Sequence, residues 1–139
     1  MKLAAAVLLV ACSRHPALTS CDDSLAGVWH TDAGDWMILD YGATLEGYPL
    51  FVDRFPAPPE QTVAPRFLAL ERDTAVSGDL GRRYMLGSDA CVAKAPVHVT
   101  ACSGNTLELV LGDPLPPVGF APCSWAGPAP SRRERWVRE

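Results

Sequence analysis

The chain of 139 residues contains no apolar run long enough to cross a membrane as a helix. Its longest, Leu3–Ala11, is far shorter than the roughly 20 residues a spanning helix requires. Histidine is scarce, with three in the whole chain, and there is no Cys-x-x-Cys pair. No Cys/His spacing of the kind that holds zinc is present. A nucleophile elbow, a phosphate-binding glycine loop and a dinucleotide fingerprint are also missing, and no serine has a base at a motif distance. These absences point to a protein that is not an enzyme and that carries no cofactor and no metal. Basic residues are not in excess either, with 12 Lys and Arg against 16 Asp and Glu and a net charge of −4. That balance gives no electrostatic reason to bind nucleic acid. No segment keeps a helical period over three turns, and no internal repeat is visible.

What is present begins at the start of the chain. Met1-Lys2 precedes the apolar run, which ends at Cys12 and is followed by Arg14 and His15. The length of the run suits the apolar core of a secretory signal. Leu9-Val10-Ala11-Cys12 resembles the bacterial lipobox and so the small bacterial lipoproteins. The resemblance implies a signal peptide over residues 1–11, cleavage before Cys12 and lipidation of Cys12. It also implies a tether over residues 12–24 and a domain over residues 25–139. The protein would then be lipid-anchored in the bacterial cell envelope, at the outer membrane facing the periplasm. Leu18-Thr19-Ser20-Cys21 fits the same pattern loosely, but Arg14 and His15 lie between it and the apolar run. Losing residues 1–11 removes Lys2, which shifts the net charge from −4 to −5.

Lipidation of Cys12 leaves Cys21, Cys91, Cys102 and Cys123, an even set suited to two disulfides in an oxidising compartment. Four cysteines allow three pairings. Cys91 and Cys102 flank Lys94-Ala95-Pro96-Val97, which would turn a short hairpin, and Cys21 and Cys123 lie near the two ends of the domain. The expected pairs are therefore Cys21–Cys123 and Cys91–Cys102.

From Leu25 onward the pattern is that of β-structure. Strands are expected at Leu25–Thr31, Asp35–Tyr41, Thr44–Val52, Arg66–Asp73, Gly81–Leu86, Thr106–Leu111 and Arg132–Arg138. Ala90–Cys102 reads as one bent strand or a short hairpin. In Thr106–Leu111, Leu107, Leu109 and Leu111 alternate with Thr106, Glu108 and Val110, the mark of a half-buried strand. Phe55–Pro65 and Asp113–Pro130 are rich in proline, which lacks a ladder donor and fixes φ, so both read as surface loops and not interior strands. The fold class is all-β, a small antiparallel up-and-down barrel of about eight strands or, alternatively, a β-sandwich.

The first strand carries Gly27 and Trp29, and the chain ends with Arg133, Arg135, Trp136 and Arg138. A Gly-x-Trp on the first strand with a late arginine resembles the lipocalin, or calycin, pattern. That resemblance implies a meandering barrel, often with a cavity, whose closed end is plugged by Trp29 under one of Arg133, Arg135 or Arg138. Arg135 and Arg138 are the leading candidates. Ser77-Gly78 followed by Arg83-Tyr84 is similar to a segment of periplasmic lysozyme inhibitors, which implies a loop that enters an enzyme cleft. Asp79-Leu80-Gly81 reads alternatively as an ordinary turn.

Two acidic groupings remain. His30, Asp32 and Asp35 gather around a tight turn, where aspartate commonly bonds its own backbone. Asp22 and Asp23 are adjacent in the expected tether, and a hard-cation site needs several converging oxygens. The expected function is a non-enzymatic interaction or structural module held at a membrane by its lipid, with an envelope protein as partner. The alternatives are lipocalin-like binding of a small apolar ligand or lipid, and inhibition of a lysozyme-type enzyme.

Overall fold

The computed structural model describes residues 15–139. The apolar run and Cys12 lie outside the described residues. Eleven strands follow in order: β1 (Gly27–Thr31), β2 (Gly34–Asp40), β3 (Thr44–Pro49), β4 (Gln61–Val63), β5 (Phe67–Arg72), β6 (Val76–Leu86), β7 (Asp89–Ser103), β8 (Thr106–Leu111), β9 (Gly119–Phe120), β10 (Cys123–Ser124) and β11 (Arg132–Val137). Eight of them, β1-β2-β3-β5-β6-β7-β8-β11, close into an antiparallel barrel in which β11 returns to β1. The expected class is correct, and the closed meander is consistent with a lipocalin-like barrel. β4 prolongs the wall beside the far half of β6, with Val63 opposite Tyr84. β9 and β10 form a separate small hairpin.

Alternation explains the wall. On β8, Leu107, Leu109 and Leu111 are buried and Glu108 is exposed. On β7, Cys91, Ala93, Ala95, Val97 and Val99 point inward, while Lys94, His98 and Thr100 face outward. Gly27 adopts φ +130°, a region that side-chain-bearing residues avoid, and a Cβ there would lie 2.8 Å from the His15 ring. The core comprises Leu25, Trp29, Trp36, Ile38, Leu45, Leu80, Leu107 and Trp136, among others.

The structure corrects four expectations. Of the two readings of Ala90–Cys102, the single bent strand holds and the hairpin does not: Asp89–Ser103 is one long strand with an irregularity between Val99 and Ala101. Pro96 is tolerated there because its carbonyl, and hence its missing N–H, faces away from β6 toward Gly112, just past the end of β8. Cys91 and Cys102 therefore sit near opposite ends of one strand that rises about 3.3 Å per residue, far too distant to bond. The pairs formed are Cys21–Cys102 and Cys91–Cys123. Ser77-Gly78 and Asp79-Leu80-Gly81 lie within β6, paired with both β5 and β7, and form neither a loop nor a turn. Finally, the folded unit reaches further toward the N-terminus than Leu25. Leu18 is buried, and its backbone exchanges two hydrogen bonds with Gly104. Residues 15–24, expected to be a tether, are docked on the barrel.

Candidate functional site

Strand direction sorts the connections to two ends of the barrel. One end carries the N-terminal segment, the β2–β3, β5–β6 and β7–β8 turns, and Arg138. The other carries the β1–β2 turn, the tip of the β6–β7 hairpin, and both proline-rich connections, 50–66 and 112–131.

The first end is shut. Trp29 is fully buried and its Nε1 donates to Leu25 O at 2.8 Å. The Arg138 guanidinium lies 5.0 Å from the centroid of the Trp29 ring, within cation–π range. It donates to the carbonyls of Ser24, Ala26 and Pro16. Burial lowers the pKa of Arg138, an effect that Asp23 opposes. Of the candidate arginines, Arg138 performs the plugging role; Arg133 and Arg135 are exposed on the outer face. Arg72 holds the same segment from the other side. It donates to Cys21 O and Asp23 O, to Gly42 O, and in two bonds to Asp40. Burial works to raise the Asp40 pKa. The Arg72 hydrogen bonds and the backbone N–H groups of Leu25 and Gly42 outweigh it and hold Asp40 at about 2.

The loop end is the candidate site. Asp53, from the first proline-rich connection, reaches over the mouth. Its carboxylate accepts from Arg66 N at 2.8 Å, Arg66 Nε at 3.1 Å and Arg82 Nη2 at 2.7 Å. Its side chain is 5% exposed. Burial pushes its pKa up, but the Arg66 bonds and the charges of Arg66 and Arg82 prevail and leave it below the usual carboxylate range. Arg82 occupies an inward position of β6 between Leu80 and Tyr84, is 3% exposed, and keeps its buried Nη1 without a partner. Phe55 lies over its guanidinium and meets Tyr84 edge-on, while Tyr84 Oη donates to Pro114 O at 2.6 Å. A half-open pocket of about 240 Å³ is lined by Asp53, Phe55, Arg66, Arg82, Asp113 and Leu115. From Arg66 a rim continues through Asp113, Arg132 and Glu134 to Trp136, which stacks on Trp36 at 5.6 Å. Beneath that rim the barrel retains a cavity of only about 20 Å³, the room of a single water.

Outside the mouth, the second connection packs against β7 through Cys91–Cys123. Between them runs a groove of about 370 Å³ lined by Val92, Lys94, Leu115, Trp125 and Pro128. Leu50, Val52, Phe55, Leu115, Val118 and Trp125, all on the two long connections, are exposed.

The His30, Asp32 and Asp35 grouping lies at the β1–β2 turn and Asp22 and Asp23 lie at the shut end, and none of them lines the Asp53 pocket. His30 Nδ1 meets Asp35 Oδ1 at 2.7 Å, which raises the His30 pKa, while Asp32 sits exposed at the turn. Asp23 accepts from Thr19 and Ser20 in a turn, and Asp22 is exposed. Among the described residues no group of three His, Cys, Asp or Glu side chains is placed to hold a metal ion. Sequence reasoning missed Asp53, Arg66 and Arg82. Arg82 had a usable signal, a charge at an inward position between Leu80 and Tyr84; Asp53, inside a proline-rich loop, had none. No protein-family model, no curated protein and no solved structure matches this chain.

Proposed function

We propose that this protein is a non-enzymatic interaction module, tethered to a bacterial envelope membrane through lipid on Cys12, that engages a partner through its loop end. The carrying observation is the contrast between a barrel interior reduced to about 20 Å³ and a loop end bearing Leu115, Val118 and Trp125 in the open. A fatty acyl chain needs far more interior room, which disfavours the small-ligand alternative. Exposed large apolar side chains gathered on loops mark contact surfaces. The polarity of the barrel supports the tether. His15 packs at the shut end, and three residues span at most about 11 Å, so a lipid on Cys12 brings the shut end to the bilayer. Both proline-rich connections then face away from it.

The test has two parts. Intact mass of membrane-extracted protein is expected to show acylation and no free thiol. Photo-crosslinkers at Val118 or Trp125, in intact envelopes, are expected to capture a discrete partner that a crosslinker at Asp73, in the shut-end β5–β6 turn, does not. Equal capture from both ends, or four free thiols, would overturn the proposal.

A further inference from the structure

The barrel wall has an opening beside β11. All six residues of β11 pair with β8, but only Val137 meets β1, opposite His30. Arg138 N–H donates to Asn105 O, on the β8 side. Backbone direction alternates along a strand, so the even-numbered residues of β11 turn their N–H and C=O groups to β8. Arg133, Arg135 and Val137 turn theirs toward β1. The chain leaves β1 after Thr31 and turns through Asp32-Ala33 into β2. Arg133 and Arg135 are left with no strand opposite and no backbone hydrogen bond on that side among the described residues. A cleft of about 310 Å³ lies against them, lined by Asp32, Arg133, Glu134, Arg135 and Val137.

We propose that this open edge of β11 takes up a short extended acidic segment of another protein by strand addition. An unpaired row of N–H and C=O groups is a template for a further strand. Charge selects the occupant. Arg133 and Arg135 point outward and join no ion pair among the described residues, whereas Arg132 and Glu134 bond each other at 2.8 Å. A residue docked opposite either outward arginine is favoured when acidic. A second copy of this chain would set arginine against arginine, which is unfavourable. The residue between the two acidic ones faces the Glu134 carboxylate, so it is favoured when it carries no negative charge. The edge therefore reads an acidic–uncharged–acidic alternation. This surface lies on the flank of the barrel and does not depend on the loop-end reading.

The probe is a peptide of alternating glutamate and alanine, titrated into the intact protein with amide exchange followed by NMR. Saturable, salt-sensitive binding is expected, with new protection at the Arg133 and Arg135 amides. Arg135→Pro removes an N–H that serves only the open side, leaves the β8 ladder intact, and is expected to weaken binding about tenfold or more. Should that variant not fold, Arg133→Glu with Arg135→Glu changes two exposed side chains, and is expected to abolish binding of the glutamate peptide and to admit a lysine–alanine peptide. Three results would overturn the proposal: no added protection at those amides, glutamate-peptide binding indifferent to the charge reversal, or protection of the same amides by self-association of the protein alone.

Discussion

Asp53 and Arg138 solve the same problem at opposite ends of the barrel, since each is a charge carried into a nearly dry place. Asp53 sits between two guanidinium groups, Arg66 and Arg82. Removing one partner of a buried pair costs about 3–5 kcal/mol, so Asp53→Ala is expected to lower the unfolding free energy by that order in urea melts. Trp29→Ala should cost about 3–5 kcal/mol as well, through the cavity it leaves. Asp40 adds a pH dependence. Its pKa falls from 3.8 unfolded to about 2 folded, so its contribution is complete above the unfolded value and is lost as pH drops from about 5 toward 2. After allowance for solvent screening this amounts to about 1–2 kcal/mol, and Asp40→Asn should flatten that limb of a stability-against-pH curve. Gly27 and Trp29 were legible in the sequence because a strand start with that pair is distinctive. Which arginine covers the indole was not, since Arg138 is set apart from Arg133 and Arg135 by its parity relative to a register the sequence does not display.

Strands were readable wherever apolar and polar residues alternate, as in β8, and pairing followed for those neighbours joined by a short turn. The failure at β7 has a specific cause. Lys94-Ala95-Pro96-Val97 has turn composition, yet Pro96 needs no donor at a point where β8 has already stopped. With that hairpin went the expected disulfides, because an unbroken strand separates Cys91 from Cys102. The actual bridges close segments of 81 and 32 residues. Loop-closure entropy assigns them about 4–5 and about 3.5–4 kcal/mol respectively. Replacing Cys21 and Cys102 by alanine is therefore expected to cost more stability than replacing Cys91 and Cys123. The second pair holds the 112–131 connection against β7, so its loss should expose Trp125 further, read as a red shift in fluorescence at unchanged far-UV signal.

The molecule as a whole is polarised. One end is sealed by an indole under a guanidinium and strapped by residues 15–24; the other bears two long, stiff connections over a salt-bridged mouth. Among the described residues the cavity beneath the rim measures about 20 Å³, too little for an acyl chain, so the protein should show no saturable uptake of fluorescent fatty acids. Class and barrel shape were visible in the sequence because they follow from alternation. The loop-end site was invisible because Asp53 and Arg66 come from the 50–66 connection and Arg82 from β6, and the β5–β6 register that sets Arg66 beside Arg82 is not displayed in the sequence.

Cys21–Cys102 also determines how this domain would bear a load. A pull on the chain ahead of Cys21 enters β7 through a covalent bond and reaches the wall at the β7–β8 turn. The traction never has to peel β1 from β2, nor strain the lone His30–Val137 pairing. Force spectroscopy under oxidising conditions should record high resistance, and a reductant should convert the response to stepwise unzipping that starts with the strap. Under the proposed tether, the domain could be pulled hard from its shut end while the seam beside β11 stays undisturbed.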